Sequence, residues 1–95
     1  MSEKTLNDYR AELDAADAAL YAAFIKRMEL SGEIGKYKRS HDLPIYDPAR
    51  EEEKLAATAK TAGEKFSPYL QRLYKTLAAL SREYQQELMR AEDGK

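Results

Sequence analysis

One helical pattern of unusual length constrains the fold of this chain more than any other feature. Leu6, Leu13, Leu20 and Ile34 lie on one seven-residue spacing, and apolar residues spaced in this way line one face of a helix. A helix over residues 6–39 is about 50 Å long, whereas a compact chain of this size has a radius of gyration of about 12–13 Å. Since shorter helices of the same chain cannot cover it, we expect an intertwined homodimer with a long N-terminal helix.

Three cations, Arg10, Arg27 and Lys38, lie on this apolar face. Arg27 occupies the missing step between Leu20 and Ile34, and a buried charge costs several kcal/mol unless a partner offsets it. Lys38 follows about three turns later, roughly 16 Å along the axis, and points the same way as Arg27. Two such cations can flank a small anion, which favours a binding site over a plain helical bundle.

Two segments with helix-breaking residues divide the rest of the chain. Asp47-Pro48 and Ser67-Pro68 each read as an N-cap followed by proline at the first helical position, and Gly63 closes the helix between them. We therefore predict one all-α domain over residues 1–95. It has three helices, at about 6–39, 48–62 and 68–91.

Two further local signals lie in the first helix. Thr5 and Asp8 have the spacing of a capping box at its start. Gly32 and Gly35 are expected to weaken it, each by roughly 1 kcal/mol relative to alanine.

Composition excludes several classes of function. The net charge of −1 argues against a globally basic nucleic-acid binder, and no apolar run approaches the length of a membrane span. One histidine and no cysteine make a poor metal site. The first ten residues lack the apolar segment of a signal peptide, so we expect a cytoplasmic protein.

Polar residues of the later segments leave two interpretations open. Ser81 and Gln85 are four residues apart and share a helix face. They form either the polar edge of an apolar stripe or hydrogen-bonding groups that face the same cavity as Arg27 and Lys38. Asp47 and Glu51 suit a helix N-terminus electrostatically.

Several blocks, taken in order, resemble a known family. They are residues 9–14, Leu20, residues 26–30, residues 34–38, residues 44–51, and Ser81 with Gln85. In this order and spacing the chain resembles the small all-helical chorismate mutases of the intertwined-dimer class. The resemblance implies a Claisen rearrangement of the dianion chorismate to prephenate in phenylalanine and tyrosine biosynthesis, with neither cofactor nor metal.

The same resemblance implies a role for each matching residue. Arg27 and Arg10 of the partner subunit would bind the two substrate carboxylates. Lys38 and Gln85 would donate hydrogen bonds to the ether oxygen, and Glu51 would hold the ring hydroxyl. The remaining contacts would come from Ser81, Arg50 and Asp47. Independently, Arg10 precedes Arg27 by roughly 25 Å of straight helix, so one small ligand can meet both only if Arg10 comes from the second subunit.

Alternatives remain at this level. Isochorismate pyruvate lyases and aminodeoxychorismate mutases have similar basic pockets, and a non-catalytic helical dimerisation or ligand-sensing module would also explain the long helix. Two departures from the family pattern concern the shape of the pocket. Arg82 follows Ser81 where relatives often have an apolar residue, and Tyr84 precedes Gln85 where a smaller one is common. Arg82 could also point to solvent, as most arginines do.

Overall fold

The structure is a computed structural model that describes residues 3–93, with side chains as far as residue 91. It contains two helices, α1 at Leu6–Ser40 and α2 at Pro48–Asp93, joined by a short connector. The all-α prediction is confirmed, and α1 begins and ends within one residue of the predicted bounds. The outermost residues of the predicted domain, 1, 2, 94 and 95, lie outside the described residues.

Local hydrogen bonds explain where α1 begins and ends. The amide of Thr5 donates to Asp8 Oδ2 at 2.8 Å and the amide of Asp8 donates to Thr5 Oγ1 at 3.2 Å, which is the predicted capping box. At the other end Asp42 adopts a left-handed conformation with φ 55°. The amide of Leu43 then reaches the carbonyl of Lys38 at 2.8 Å, and this bond closes the helix as in a Schellman motif.

The predicted division into three helices is wrong. The segment from Pro48 to Asp93 is one helical element of 46 residues, in which only Gly63 leaves the helical region, at φ 73° and ψ 173°. Glycine adopts this positive φ without the penalty that a Cβ would bring. The helix resumes directly after Gly63, so Ser67 and Pro68 lie inside α2 and do not open a new helix. The predicted N-cap at Asp47 is confirmed, since Asp47 Oδ1 accepts a hydrogen bond from the amide of Arg50 at 3.1 Å at the start of α2.

The chain divides into two compact units, the first ending at Leu30 and the second beginning at Ser31. In the first unit the apolar side chains of the seven-residue line are half exposed or more, among them Leu13 at 59% and Leu20 at 51%, whereas Phe24 and Met28 are half-buried. The buried side chains of the described residues belong to the second unit. They are Ser31, Thr58, Ser67, Ala78 and Gln85. The apolar line Leu6, Leu13 and Leu20 of the first unit is therefore exposed.

The end of α1 packs closely on the C-terminal part of α2 inside the second unit. A Cβ added at Gly35 would lie 2.8 Å from Gln85 Cγ, and one at Gly32 would lie 3.0 Å from the ring of Tyr84. Only residues without a side chain allow the two helices this approach. Over the described residues, neither helix is long and apolar enough to cross a membrane.

Candidate active site

Gln85 is the most buried of the predicted site residues, with 5% of its surface exposed. Its Nε2 donates to the carbonyl oxygen of Ser31 at 2.9 Å, and the bare backbone of Gly35 lies against its Cβ and Cγ. An amide nitrogen carries two N–H groups. The bond to Ser31 fixes the orientation of the side chain with one of them and leaves the second for another acceptor.

Lys38 lies on α1 one turn beyond Gly35, the residue that touches Gln85. Its Nζ donates to the carbonyl oxygen of Ile45 at 2.9 Å, and the side chain is half-buried. An ammonium group has three donors, so this bond anchors the lysine to the connector and leaves donors for a ligand. Two side-chain hydrogen-bond donors, the charged Lys38 and the neutral Gln85, are thus held by main-chain carbonyls in the same unit.

Glu51 lies in the first turn of α2 and is paired with a residue that the sequence did not assign to the site. Arg82 Nη1 donates to Glu51 Oε2, and the two side chains are 30% and 27% exposed. The guanidinium carbon of Arg82 also lies 4.9 Å from the centre of the Tyr46 ring, within the range of a cation–π contact. The hydrogen bond and the charge of Glu51 raise the pKa of Arg82 above its ordinary value, against the opposing effect of burial.

Helix geometry relates these groups to one another. Arg82 precedes Gln85 by three residues on α2 and Ser81 precedes it by four, so all three belong to neighbouring turns of one face. Ser81 is half-buried. Lys38, Glu51, Ser81 and Gln85 therefore belong to one unit, and the pairs Arg82–Glu51 and Gly35–Gln85 tie their elements together.

Other predicted site residues have different surroundings. Asp47 is exposed and caps α2. The guanidinium of Arg50 pairs with Glu53 at 2.8 Å on an exposed helix face, so this contact does not bring it to the Glu51–Arg82 pair. In the first unit, Arg10 is exposed and Arg27 is half-buried. Their predicted roles toward a substrate stay predictions.

Arg82 and the glycines are what sequence reasoning missed. The sequence leaves Arg82 either at the pocket or in solvent, and the structure pairs it with Glu51 across 31 positions of sequence. The three-residue spacing to Gln85 was the signal that could have identified it. Gly32 and Gly35 were considered only as weak points of a helix. Their contacts with Tyr84 and Gln85 give them a packing role instead.

The chain belongs to the chorismate mutase type II family, whose sequence model matches residues 9–86. This finding confirms the family that the sequence blocks indicated.

Curated relatives give two kinds of match. The chain is 48% identical over 48 residues to a T-protein of Haemophilus influenzae, covering 50% of this chain and 13% of that protein. It is 40% identical over 74 residues to a 4-amino-4-deoxychorismate mutase of Streptomyces pristinaespiralis, covering 76% of this chain and 57% of that protein. The chain thus spans only part of the length of these relatives. No solved structure gives a significant match.

Proposed function

We propose that this chain catalyses the rearrangement of chorismate to prephenate in phenylalanine and tyrosine biosynthesis, and that it does so in the cytoplasm. The observation that carries the proposal is the fixed orientation of two hydrogen-bond donors, Gln85 on Ser31 and Lys38 on Ile45. Donors that are oriented before the substrate arrives need no reorganisation during the reaction. Family membership over residues 9–86 supports the same reaction class.

The chemistry suits such donors. One carbon–oxygen bond breaks as one carbon–carbon bond forms, and negative charge grows on the ether oxygen in the transition state. Donors aimed at that oxygen stabilise the transition state more than the bound substrate, which raises the rate. Lys38 supplies a positive charge and Gln85 a neutral N–H. Arginines such as Arg27 suit the substrate carboxylates because a guanidinium grips a carboxylate in two places.

The working unit in this proposal is a homodimer in which Arg10 of the partner subunit completes each site. The half-exposed apolar line of the first unit supports this assembly, since Leu6, Leu13 and Leu20 are 63%, 59% and 51% exposed. Apolar side chains in such a row associate with another apolar face in water. A second copy offers the same face by symmetry.

A second candidate reaction is the rearrangement of 4-amino-4-deoxychorismate. The specific observation in its favour is the 40% identity to a protein named for that activity. The two substrates differ only in the ring substituent, which the family resemblance assigns to Glu51. The surroundings of Glu51 therefore bear directly on the choice between them.

The test is a prephenate-formation assay on the pure protein, with parallel assays on isochorismate and 4-amino-4-deoxychorismate. We expect turnover of chorismate, and a loss of about a hundredfold or more in Arg27→Ala, since a misplaced substrate carboxylate costs on that order. A protein that consumes only isochorismate, releasing pyruvate, would contradict the proposed reaction. A protein that leaves all three compounds unchanged would contradict catalysis altogether.

A further inference from the structure

The Glu51–Arg82 pair links the start of α2 to the turn before Gln85 in the second unit. Arg82 lies over the Tyr46 ring and bonds to Glu51 Oε2. Both charged side chains are about 70% removed from solvent, at 30% and 27% exposure. These two contacts hold the guanidinium beside the carboxylate, so the positive charge of Arg82 offsets the negative charge of Glu51.

We propose that Arg82 is a specificity-determining residue, which makes the site select a ring hydroxyl over a ring ammonium. This inference rests on the proposed function, because it takes Glu51 as the residue that faces the ring substituent. It names the substrate of that site as a dicarboxylate whose ring substituent is an uncharged hydroxyl.

The physical reason is the electrostatic environment that Glu51 and Arg82 create for the ring substituent of the substrate. An unpaired Glu51 carboxylate would attract an ammonium strongly, as two opposite charges at hydrogen-bond distance in a partly desolvated site do. Arg82 offsets that attraction, because its positive charge lies beside the carboxylate and repels an ammonium that approaches Glu51. The amino group of 4-amino-4-deoxychorismate is an aliphatic amine, and such amines carry a proton at neutral pH.

A hydroxyl substituent still finds a hydrogen-bond acceptor when Glu51 is paired with Arg82. Arg82 bonds to Oε2 of Glu51, and a carboxylate has a second oxygen with its own lone pairs. Oε1 can accept the hydrogen bond of a neutral hydroxyl while Oε2 stays paired. Arg82 itself keeps its charge at every ordinary pH, since Glu51 raises the pKa of a group that is already strongly basic.

The experiment measures kcat/KM for chorismate and for 4-amino-4-deoxychorismate in the parent protein, Arg82→Gln, Arg82→Met and Arg82→Lys. The ratio of the two values is the readout, because a variant that is merely less stable lowers both together. We expect Arg82→Gln to shift the ratio toward the amino compound by about tenfold or more, which corresponds to about 1.4 kcal/mol. Arg82→Met keeps the apolar stem without charge and should shift it likewise. Arg82→Lys keeps the charge and should stay within about threefold of the parent.

A ratio that is unchanged in both uncharged variants would overturn the inference and leave Arg82 as a structural partner of Glu51. A protein that binds the compounds without turning them over contradicts the proposed function alone, and the same ratio taken from dissociation constants by calorimetry then decides the role of Arg82. A protein that neither binds nor converts either compound would overturn both.

Discussion

The two units of this chain differ in how far their helices are buried. In the second unit, glycines at positions 32 and 35 let α1 approach α2 so closely that Gln85 is almost fully buried. In the first unit, Leu13 and Leu20 point their side chains into solvent. Both units are well capped, by Thr5 with Asp8 in the first and by Asp47 in the second. A helix cap depends on residues within about one turn, whereas burial of a helix face requires a second surface that packs against it.

This difference indicates which side chains are held in place by contacts within one chain. Gln85, Lys38 and Glu51 have partners within the second unit. The cations of the first unit lie on a helix whose apolar line is exposed, and the proposed dimer would cover this line with a second copy. We therefore expect substitutions in the first unit to act through assembly and substitutions in the second to act through the geometry of the donors.

The largest effect is expected from a charge on the uncovered line. Leu20→Lys should convert a dimer into a monomer, because a second copy would have to bury the new ammonium. Activity per chain should fall about a hundredfold or more as the contribution of Arg10 is lost. Sedimentation velocity and the prephenate assay check both outcomes. Ala22→Lys, on the opposite side of the helix, is the matched control and should leave both near the parent values.

Removing the charged donor of the second unit comes next. Lys38→Ala should lower kcat about 10²–10³-fold, the range seen when one preorganised donor is removed, without dissociating the dimer. Lys36→Ala is its control, because Lys36 is exposed and pairs with Glu33 on the surface at 3.6 Å. Equal activity of the two variants would contradict the role of Lys38.

The neutral donor gives a prediction about pH. Gln85→Glu places a carboxyl group in a buried position against the carbonyl of Ser31, where only the protonated form can donate. Burial raises the pKa of such a group in the folded state. The variant should therefore keep its activity and stability in acid. Its stability should decline once pH exceeds about 4.3, the value for an unfolded chain, and its activity should fall as pH rises through the raised pKa of the folded state. Thermal unfolding and kcat measured from pH 4 to 8, where the parent profile stays nearly flat, would reveal this; parallel profiles would contradict it.

The smallest effect concerns the close approach of the helices. Gly35→Ala forces a Cβ to within 2.8 Å of Gln85 Cγ, and overpacking of this kind costs about 1–3 kcal/mol, more than the gain of about 1 kcal/mol in helix propensity. Denaturant unfolding should show the loss, and kcat should fall because Gln85 moves. Gly32→Ala meets the edge of the Tyr84 ring at 3.0 Å and should retain its kcat. A fully active Gly35→Ala would show that the packing does not orient Gln85.

Sequence reasoning succeeded where the causes are local. The start of α1, its end near Ser40 and the start of α2 all follow from caps within a few residues. It failed at Gly63, because a single residue of positive φ bends a helix without ending it, and the Ser67-Pro68 pattern resembles a helix start. Whether the chain resumes its helix is decided by packing against distant residues.

The site was predictable to a similar extent. Residue types and spacing indicated Lys38 and Gln85 as candidates, and the family resemblance added Glu51. The family match over residues 9–86 confirms the class of protein to which they belong. Pattern alone could not predict that Glu51 is paired with Arg82, since their contact joins residues 31 positions apart. Nor could it distinguish glycines that weaken a helix from glycines that allow close packing, because that depends on the facing side chain.

Mixing two inactive variants tests the central proposal most directly. Arg10→Ala and Lys38→Ala each damage every site in their own homodimers, but a mixed dimer combines the intact Lys38 of one chain with the intact Arg10 of the other in one of its two sites. Unfolding the two variants together in equal amounts and refolding them should restore about one quarter of the parent activity, by random pairing of two-fold dimers. No recovery above the separate variants, in a mixture shown to contain mixed dimers, would contradict the shared site.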